Sequence, residues 1–487
     1  MLAGGGTKFF RDLSVLVGGQ IAVKLLGFVA FAYLARRLDL EAYGSVEFIV
    51  GLAGLVWLMA DPGFSTIGVR RAAGAPGERL LLAAQIPVIR SCLAFICALA
   101  MIIGVVAATN SPTLRGLALL YAASVLLSAW YQEWLLQSAG LMAQVAFAQM
   151  LRTSVFLLVI VLLVWDSGDA LLVGCGEIAA VGAAVAYSLY VQQHRIAPVR
   201  LASVRTTDLI RDAIPVGMSS VVWSAAQYAP LFLMGTIVGG SDTGIFAGAN
   251  RLVASIAGFS YVYHFNLYAT AARVAAEDHM AFVALMRNSF RLGAWVTIGG
   301  ALGISLAAAP ILGIVFGPDF ESAAPVLATM IWTVPVLFLS DHARCTLILA
   351  KPELNVFFAQ VSGLVTVGVL GFALVHSFAG IGAAVAALAS NLAVWGTSCA
   401  FALQKKVPTS PLSLVARPLT LALALWFCAQ ALALDPWIGA CAALIIYVFS
   451  APFLDRSLVS AAHSLFRSHS QDRREVRDSQ YPEGLDP

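Results

Sequence analysis

Apolar runs long enough to cross a lipid bilayer recur along almost the whole chain. Only 11% of the 487 residues are charged, and 60% are hydrophobic. A helix of about 20 residues spans the hydrocarbon core of a bilayer. In lipid each backbone polar group must be satisfied within the protein, and repeated long runs satisfy this as helices. The alternation typical of strands is missing. The sequence therefore predicts an all-α, polytopic membrane protein.

We count about fourteen candidate spans, and we expect each to form one transmembrane helix. Gly380 must break one nearly continuous run, and Asp435 with Pro436 must break another. The first run shows no signal-peptidase site, so we expect it to remain as a helix. The candidate spans lie near residues 13–34, 43–61, 84–107, 116–137, 143–165, 170–192, 211–238, 243–268, 289–316, 322–349, 355–377, 379–403, 416–434 and 436–454.

The distribution of lysine and arginine predicts the orientation. An even number of spans puts both termini on one face, and that face holds nearly all the basic residues outside the spans. The opposite face holds only Arg36, Arg37 and Arg115. By the positive-inside rule both termini are predicted to be cytoplasmic. The loops on the other face are short, and the polar tail 455–487 is expected to be largely disordered.

Two halves of the chain resemble each other at an offset of about 200 residues. The segment 39–50 (DLEAYGSVEFIV) resembles 240–251 (GSDTGIFAGANR), which places Gly44 opposite Gly244. The segment 135–149 resembles 347–360 in the same way, with Gln149 opposite Gln360. Each half then has six spans, so both have the same orientation and form a transporter geometry with a cleft between them.

This repeat divides the chain into five parts. They are an N-terminal six-helix lobe (1–193), a cytoplasmic linker (194–212), a C-terminal six-helix lobe (213–404), two additional transmembrane helices (405–454) and the cytoplasmic tail (455–487).

Ionisable residues inside the spans are candidate functional residues, because a charge at the bilayer centre costs at least about 2.5 kcal/mol. Lys24 lies near the middle of the first span, and Gln20 shares its helical face. The repeat places Ser224 and Tyr228 of the seventh span opposite them. Two facing polar stripes predict a wet, substrate-binding cavity. The alternative is that Lys24 reaches the headgroups or pairs with an acid.

A second set of intramembrane charges suggests a gate or a coupling site. Arg251 also belongs to the predicted cavity, and Glu47 lies one turn from the position that the repeat assigns opposite it. Arg344 and Asp341 are one helical turn apart and can pair locally. The repeat places Glu133 opposite Arg344, which predicts a contact across the two halves. That contact is either a gate or a static buried pair.

Four further charges lie near the ends of spans. Arg90 and Arg152 are close enough to the cytoplasmic boundary to reach the headgroups, and we expect them to do so. Glu177 and Asp61 are ambiguous for the same reason. No spacing of Cys or His residues indicates a metal site, and no catalytic residue or cofactor is predicted. Glu47 or Asp341 could carry a proton or Na⁺ that drives a transport cycle.

Residues 34–73 resemble a known family. The stretch contains Glu41, Tyr43–Gly44, Asp61, Gly63–Phe64 and the basic pair Arg70–Arg71. This pattern is similar to Wzx-type polysaccharide and O-antigen flippases of the multidrug/oligosaccharidyl-lipid/polysaccharide (MOP) superfamily, and 214–252 is similar as well. The resemblance implies a V-shaped bundle whose central cavity is cationic, and Lys24, Arg251 and Arg344 would supply that charge here.

The resemblance also implies a function. The substrate would be an undecaprenyl-diphosphate-linked oligosaccharide, such as a repeat unit of O-antigen, capsule or exopolysaccharide, moved across the bacterial inner membrane. Partners would be membrane lipid, glycosyltransferases and a polysaccharide polymerase, and no nucleic acid. One alternative is a cation-coupled multidrug antiporter of the same superfamily, which the thirteenth and fourteenth spans disfavour. Another is a polysaccharide polymerase or ligase, which the short external loops disfavour. A purely structural membrane protein is a third, disfavoured by the buried charges.

Overall fold

The computed structural model describes residues 3–74, 76–196, 207–349, 353–404, 412–458 and 460–461, without the side chains of 3–17, 76, 207, 216, 261, 265, 266, 269, 273, 276, 348, 349 and 353. Helices form nearly all of this part of the chain, and no strand occurs in it. The first nine helices are α1 (Ala3–Arg37), α2 (Leu40–Ala60), α3 (Phe64–Gly74), α4 (Arg79–Ala108), α5 (Pro112–Ser128), α6 (Glu133–Ser138), α7 (Met142–Leu163), α8 (Ala170–Val191) and α9 (Thr207–Leu233). The others are α10 (Gly240–Glu277), α11 (His279–Leu306), α12 (Ala308–Phe316), α13 (Ala324–Met330), α14 (Thr333–Leu349), α15 (Glu353–Gln404), α16 (Ser413–Ala431) and α17 (Pro436–Leu454).

Thirteen helical segments in the described ranges are long and apolar enough to cross a membrane. The longest, Leu354–Gln404, is two crossings in one, because Ala379 breaks it with a φ of 44°. This gives the fourteen predicted spans. The break lies one residue before Gly380, where the sequence predicts it. A Cβ on nearby Gly382 would lie 2.3 Å from the carbonyl oxygen of Leu374, so the bend needs small residues.

The spanning helices form two groups, which we call the N lobe and the C lobe. The N lobe contains the helices of residues 18–196, in which α7 packs against α1 and α8, and α8 also packs against α5. The C lobe contains the helices of residues 207–404, in which α15 packs against both α9 and α14. The lobes meet where α2 contacts α9 and α10. The result is the predicted V-shaped bundle of two six-helix repeats.

The last two helices attach to the C lobe through α11. An apolar cluster that includes Trp295 and Tyr447 joins α11 to α16 and α17. The hydroxyl of Tyr447 donates to the backbone oxygen of Trp295 at 3.1 Å. Arg291 and Asp455 form a buried ion pair at 3.1 Å beside this cluster. These two helices therefore belong structurally to the C lobe.

The repeat-related glycines Gly44 and Gly244 lie against each other where α2 crosses α10. A Cβ on Gly44 would lie 2.6 Å from the backbone nitrogen of Gly244. A Cβ on Gly244 would lie 1.9 Å from the carbonyl oxygen of Leu40. Only glycine permits this approach of two backbones. Since equivalent residues of the two halves touch here, the axis that relates the halves passes close to this crossing.

Some sequence-based predictions concern residues outside the described ranges. One is the disorder predicted for the tail, which lies outside the described ranges from residue 462 on. The other is the predicted cytoplasmic linker, of which residues 197–206 lie outside them. The predicted domain boundaries stay a prediction.

Candidate substrate cavity and lobe interface

A cavity of about 410 Å³ lies within the N lobe, on the side where α9 of the C lobe contacts α2. All of its lining residues come from the N lobe except Tyr228 of α9. The lining residues are Val23, Gly27, Phe31, Val50, Ala53, Gly54, Trp57, Tyr121, Ser124, Val125, Ser128, Tyr131, Arg152, Thr153, Phe156, Glu177, Val181, Ala184 and Tyr228. Most of its polar lining residues carry hydroxyl groups, and aromatic rings contribute to its apolar wall.

The cavity contains one charge pair, formed by Arg152 of α7 and Glu177 of α8. Their side chains meet at 2.5 Å, and 45% of the Arg152 side chain is exposed. The prediction that Arg152 reaches the headgroups is wrong, because its guanidinium faces the cavity and binds Glu177. Sequence reasoning missed this pair. The sequence signal for it is a base and an acid in consecutive spans, which pack against each other.

A second charge pair joins the lobes beside the cavity. Arg251 of α10 donates to both carboxylate oxygens of Glu47 of α2, at 2.8 and 2.6 Å. The Tyr43 hydroxyl donates to the same carboxylate at 2.9 Å. The guanidinium lies over the ring of Phe31, 3.6 Å from its centre. A bidentate, hydrogen-bonded pair of this kind is stable only while both partners stay in place. It therefore exists only while α2 and α10 are together.

The lobes are closed at the predicted periplasmic face, where α1 ends and α2 begins. The ring of Tyr43 packs edge-on against Phe320, with 5.4 Å between the ring centres. Arg36, at the end of α1, donates to the backbone oxygens of Ile314 and Val315. These are carbonyls at the C-terminal end of α12, which a cation caps favourably. Together with the Gly44–Gly244 crossing, these contacts seal this face.

The lobes also meet at the predicted cytoplasmic face, where α2 ends. A Cβ on Gly217 of α9 would lie 2.1 Å from the carbonyl carbon of Pro62. Gly63 makes the turn at this point with a φ of +93°. Arg71 and Asp212 form an exposed ion pair beside it. The structure therefore shows a conformation in which both faces have lobe-to-lobe contacts.

Lys24 lies at the seam between the lobes and does not line the cavity. A Cβ on Gly258 of α10 would lie 2.9 Å from its Nζ, and the side chain is exposed. Its neighbours Val23 and Gly27 line the cavity. The prediction that Lys24 and Arg251 share one hollow is not met in this conformation. Both cations nevertheless lie where α1 and α2 face α10.

Gln20 and Glu133 belong to a polar network within the N lobe. The Gln20 amide donates to Gln149 at 2.6 Å, and Gln149 donates to Glu133 at 2.7 Å. Gln137 also donates to Glu133 at 2.9 Å. Of the remaining predicted cavity residues, Ser224 is buried and absent from the lining, whereas Tyr228 is part of it.

The predicted contact between Glu133 and Arg344 is not formed. Arg344 pairs instead with Asp341, one turn earlier in α14, at 3.0 Å. This is the local pairing that their spacing predicts. Glu133 is satisfied by glutamines of its own lobe, so neither partner needs the other. Glu133 and Arg344 therefore stay apart, because each has polar partners within its own lobe.

Arg90 is buried, and the prediction that it reaches the headgroups is wrong. It is 3% exposed and donates to the backbone oxygens of Ser128 and Tyr131, each at 3.1 Å. Asp61 lies 3.7 Å from its Nε and also accepts from the Ser65 hydroxyl at 2.5 Å. This arginine therefore joins α4 to the chain that follows α5.

The comparison with protein families matches residues 9–263 to the model described as "Polysaccharide biosynthesis protein". The chain belongs to this polysaccharide biosynthesis family. No curated protein sequence matches the chain. The family match includes α1, α2 and the Glu47–Arg251 pair.

Solved structures with the same fold are MOP superfamily transporters. The lipid II flippase MurJ in an inward closed conformation aligns with a TM-score of 0.73 at 11% identity, over 91% of this chain and 99% of MurJ. An inward-facing multidrug resistance MATE family transporter aligns with a TM-score of 0.61 at 12% identity, over 80% of this chain and 95% of the transporter. A MOP superfamily transporter from Pyrococcus furiosus aligns with a TM-score of 0.55 at 13% identity, over 81% of this chain and 96% of its own. Family and fold together indicate a membrane transporter.

Proposed function

We propose that this protein moves an undecaprenyl-diphosphate-linked oligosaccharide across the bacterial inner membrane by alternating access. The carrying observation is that two like-oriented lobes contact each other at both faces, beside a cavity of the N lobe that Tyr228 of the C lobe helps to line. The polysaccharide biosynthesis family and the fold of MurJ support this proposal. The distribution of lysine and arginine supports cytoplasmic termini.

The size of the cavity implies that the lobes separate to accept this substrate. A volume of about 410 Å³ lies at the small end of ligand sites and is too small for a diphosphate with several sugars. Separation of α2 from α10 breaks the Arg251–Glu47 pair. Arg251 on α10 and Lys24 on α1 then face each other across the opened seam. Two cations at this position suit a diphosphate.

The wall of the cavity suits sugar rings. Trp57, Tyr121 and Tyr228 combine flat apolar faces with polar edges, the combination that amphipathic sugar rings match. Ser124 and Ser128 add hydroxyl groups. The lipid chain would stay in the bilayer, because moving it through a polar cavity would cost its apolar burial.

The charge of the cavity disfavours the alternative of a multidrug antiporter. A cationic drug needs an acid that is free to bind it. Glu177 is the only acid among the lining residues, and it is paired with Arg152. The cavity therefore offers no uncompensated negative charge in this conformation.

The transport cycle also needs a driving ion and partners. A proton or Na⁺ bound at Glu47 or Asp341 would drive it, since both carboxylates are buried. Glu47 is paired with Arg251 of the other lobe, and Asp341 is paired with Arg344 of its own helix. Glycosyltransferases would supply the substrate on one face, and a polymerase would consume it on the other.

A leaflet assay tests the proposal. Purified protein in liposomes is given a fluorescent undecaprenyl-diphosphate-linked oligosaccharide, and a membrane-impermeant reductant reports how fast the probe changes leaflet. We expect Arg251→Ala and Lys24→Ala to slow movement by about tenfold or more, because each removes a charged contact worth about 1.5–3 kcal/mol. Arg417→Ala, which changes an exposed residue of α16, is the control. Parent protein no faster than empty liposomes, or both variants at the parent rate, would overturn the proposal.

A further inference from the structure

Two buried histidines lie close together on neighbouring helices of the C lobe. His264 of α10 is 6% exposed, and His342 of α14 is 1% exposed. Their ring centres are 5.8 Å apart. The cavity and the Arg251–Glu47 pair do not include either residue.

Each histidine is held by one ring nitrogen, which leaves the other without a partner. His264 Nδ1 lies 2.8 Å from the backbone oxygen of Ser260, and His342 Nε2 lies 3.0 Å from that of Met286. A nitrogen beside a carbonyl carries the proton, so the opposite nitrogen has the lone pair. His264 Nε2 and His342 Nδ1 are buried and have no hydrogen-bond partner among the described residues. Unpaired buried polar atoms are costly and rare.

The surroundings keep both rings neutral in this conformation. Phe338 lies 4.6 Å from the His264 ring, and Phe290 lies 5.3 Å from the His342 ring, measured between ring centres. An unpaired imidazolium in such a setting would lose its hydration without compensation. The packing therefore favours the uncharged state for as long as these helices stay together.

The charged and titratable groups around the pair come mainly from α14. Asp341 is linked to His264 through Ser260, whose hydroxyl lies 3.2 Å from His264 Nδ1 and 3.4 Å from Asp341 Oδ2. Asp341 is already paired with Arg344, and Cys345 lies one turn beyond His342. On α10, Tyr263 contributes its hydroxyl, which bonds Ser289 at 2.6 Å. The residues of α11 that face the pair are Met286, Ser289 and Phe290, and none is charged.

We propose that His264 and His342 form a proton-binding site of the C lobe. In this conformation the site binds no extra proton, because the packing favours the uncharged state of both rings. It takes one proton from water when α10 moves away from α14 as the lobes separate, and both residues lie in the half of their helix nearer the predicted cytoplasmic face. The proton forms one new N–H bond at a free lone pair, and the resulting cation lies near the Asp341 carboxylate, to which the Ser260 hydroxyl links His264. This inference rests on the alternating access of the proposed function.

The site is connected to the lobe interface through a single helix. α10 carries both His264 and Arg251, which lie about 20 Å apart at a rise of 1.5 Å per residue. A charge at His264 disfavours the packing of α10 on α14 and so acts on the helix that closes the two lobes. By linkage, opening of the lobes raises the affinity for the proton to the same extent.

The distance between the lobes at different pH values tests this proposal without a substrate. Spin labels are placed at exposed Glu78→Cys in the N lobe and Met280→Cys in the C lobe, in full-length protein with every native cysteine except buried Cys345 replaced. In liposomes, we expect the population with a longer distance to grow as the pH falls, over about two pH units as for one proton. We expect His264→Gln and His342→Gln to remove this dependence, and His376→Gln, at an exposed histidine, to keep it.

Two results would overturn the proton site. One is a distance distribution that does not change with pH in the parent protein. The other is a pH dependence that His264→Gln and His342→Gln leave unchanged. A gel-filtration profile equal to the parent shows that each variant is folded. Because no oligosaccharide is present, this test can succeed even if the proposed substrate is wrong, and the leaflet assay can succeed even if the proton site is wrong.

Discussion

At the scale of single residues, Glu47 and Arg251 are the clearest two-state contact. Glu47 accepts three hydrogen bonds that all come from residues at the lobe interface, and its side chain is only 4% exposed. Such a carboxylate cannot lose its cation without a large penalty. The pair therefore stabilises the closed arrangement of α2 and α10, and its loss has to be compensated when the lobes open.

We predict that Glu47→Gln lowers the free energy of unfolding in detergent by about 3 kcal/mol, because Arg251 is left half-buried without a negative partner. The double variant Glu47→Gln/Arg251→Gln should recover more than half of that loss, since no charge then remains unpaired. Denaturant unfolding of the purified protein measures both values. Glu41→Gln, at an exposed position of the same helix, is the control. If Glu47→Gln were as stable as Glu41→Gln, the pair would not stabilise the closed state.

Single residues also show the limit of the sequence. Hydropathy and the repeat place Arg251 and Glu47 at nearly equivalent positions, so their proximity can be predicted from the sequence. Their hydrogen bonds cannot, because these depend on how far the lobes are closed. The prediction that Arg90 reaches the headgroups is wrong for a related reason. Its distance from the end of a span does not reveal that the backbone oxygens of Ser128 and Tyr131 are within its reach.

At the scale of helices, the crossing of α2 and α10 depends on the absence of side chains. At Gly244 a methyl group would lie 1.9 Å from a backbone oxygen, which no rotamer change can relieve. At Gly104 of α4, by contrast, nothing lies within 4 Å of an added Cβ. The two positions make a matched pair for the same substitution.

We predict that Gly244→Ala separates α2 from α10 and opens the predicted periplasmic face. Val46 is fully buried in α2, so Val46→Cys reports this opening through its reaction with a water-soluble maleimide. We expect Gly244→Ala to raise the labelling rate of Val46→Cys at least several-fold, and Gly104→Ala to leave it at the parent rate. Equal rates in the two alanine variants would show that the crossing does not control access.

The helices themselves were largely predictable, since in a membrane protein length and hydropathy determine the spans. The break at Ala379 lies beside Gly380, where the sequence predicts an interruption of a long apolar run. Sequence could not show that α11 and α12, or α13 and α14, are separate helices. Hydropathy stays high across both interruptions, and the signal they carry is a proline, Pro310 or Pro335, as the third residue of the following helix.

At the scale of the whole molecule, the two lobes contact each other at both membrane faces, and a small cavity of the N lobe lies beside their interface. Arg36, Tyr43 and Phe320 close one face, and the Gly63–Gly217 approach closes the other. Alternating access requires these contacts to open in turn. A substrate larger than the cavity can pass only if they do.

Locking the lobes together tests this central claim most directly. Glu41→Cys and Asp319→Cys are exposed and flank the Tyr43–Phe320 contact, so a flexible bis-maleimide can join the lobes at this face in protein whose exposed native cysteines have been replaced. Each single cysteine variant, treated in the same way, is the control. The measurement is the leaflet change of the fluorescent undecaprenyl-diphosphate-linked oligosaccharide in liposomes. Alternating access requires the cross-linked protein to stop moving the probe while both controls continue, and movement at the control rate in the cross-linked protein would exclude it.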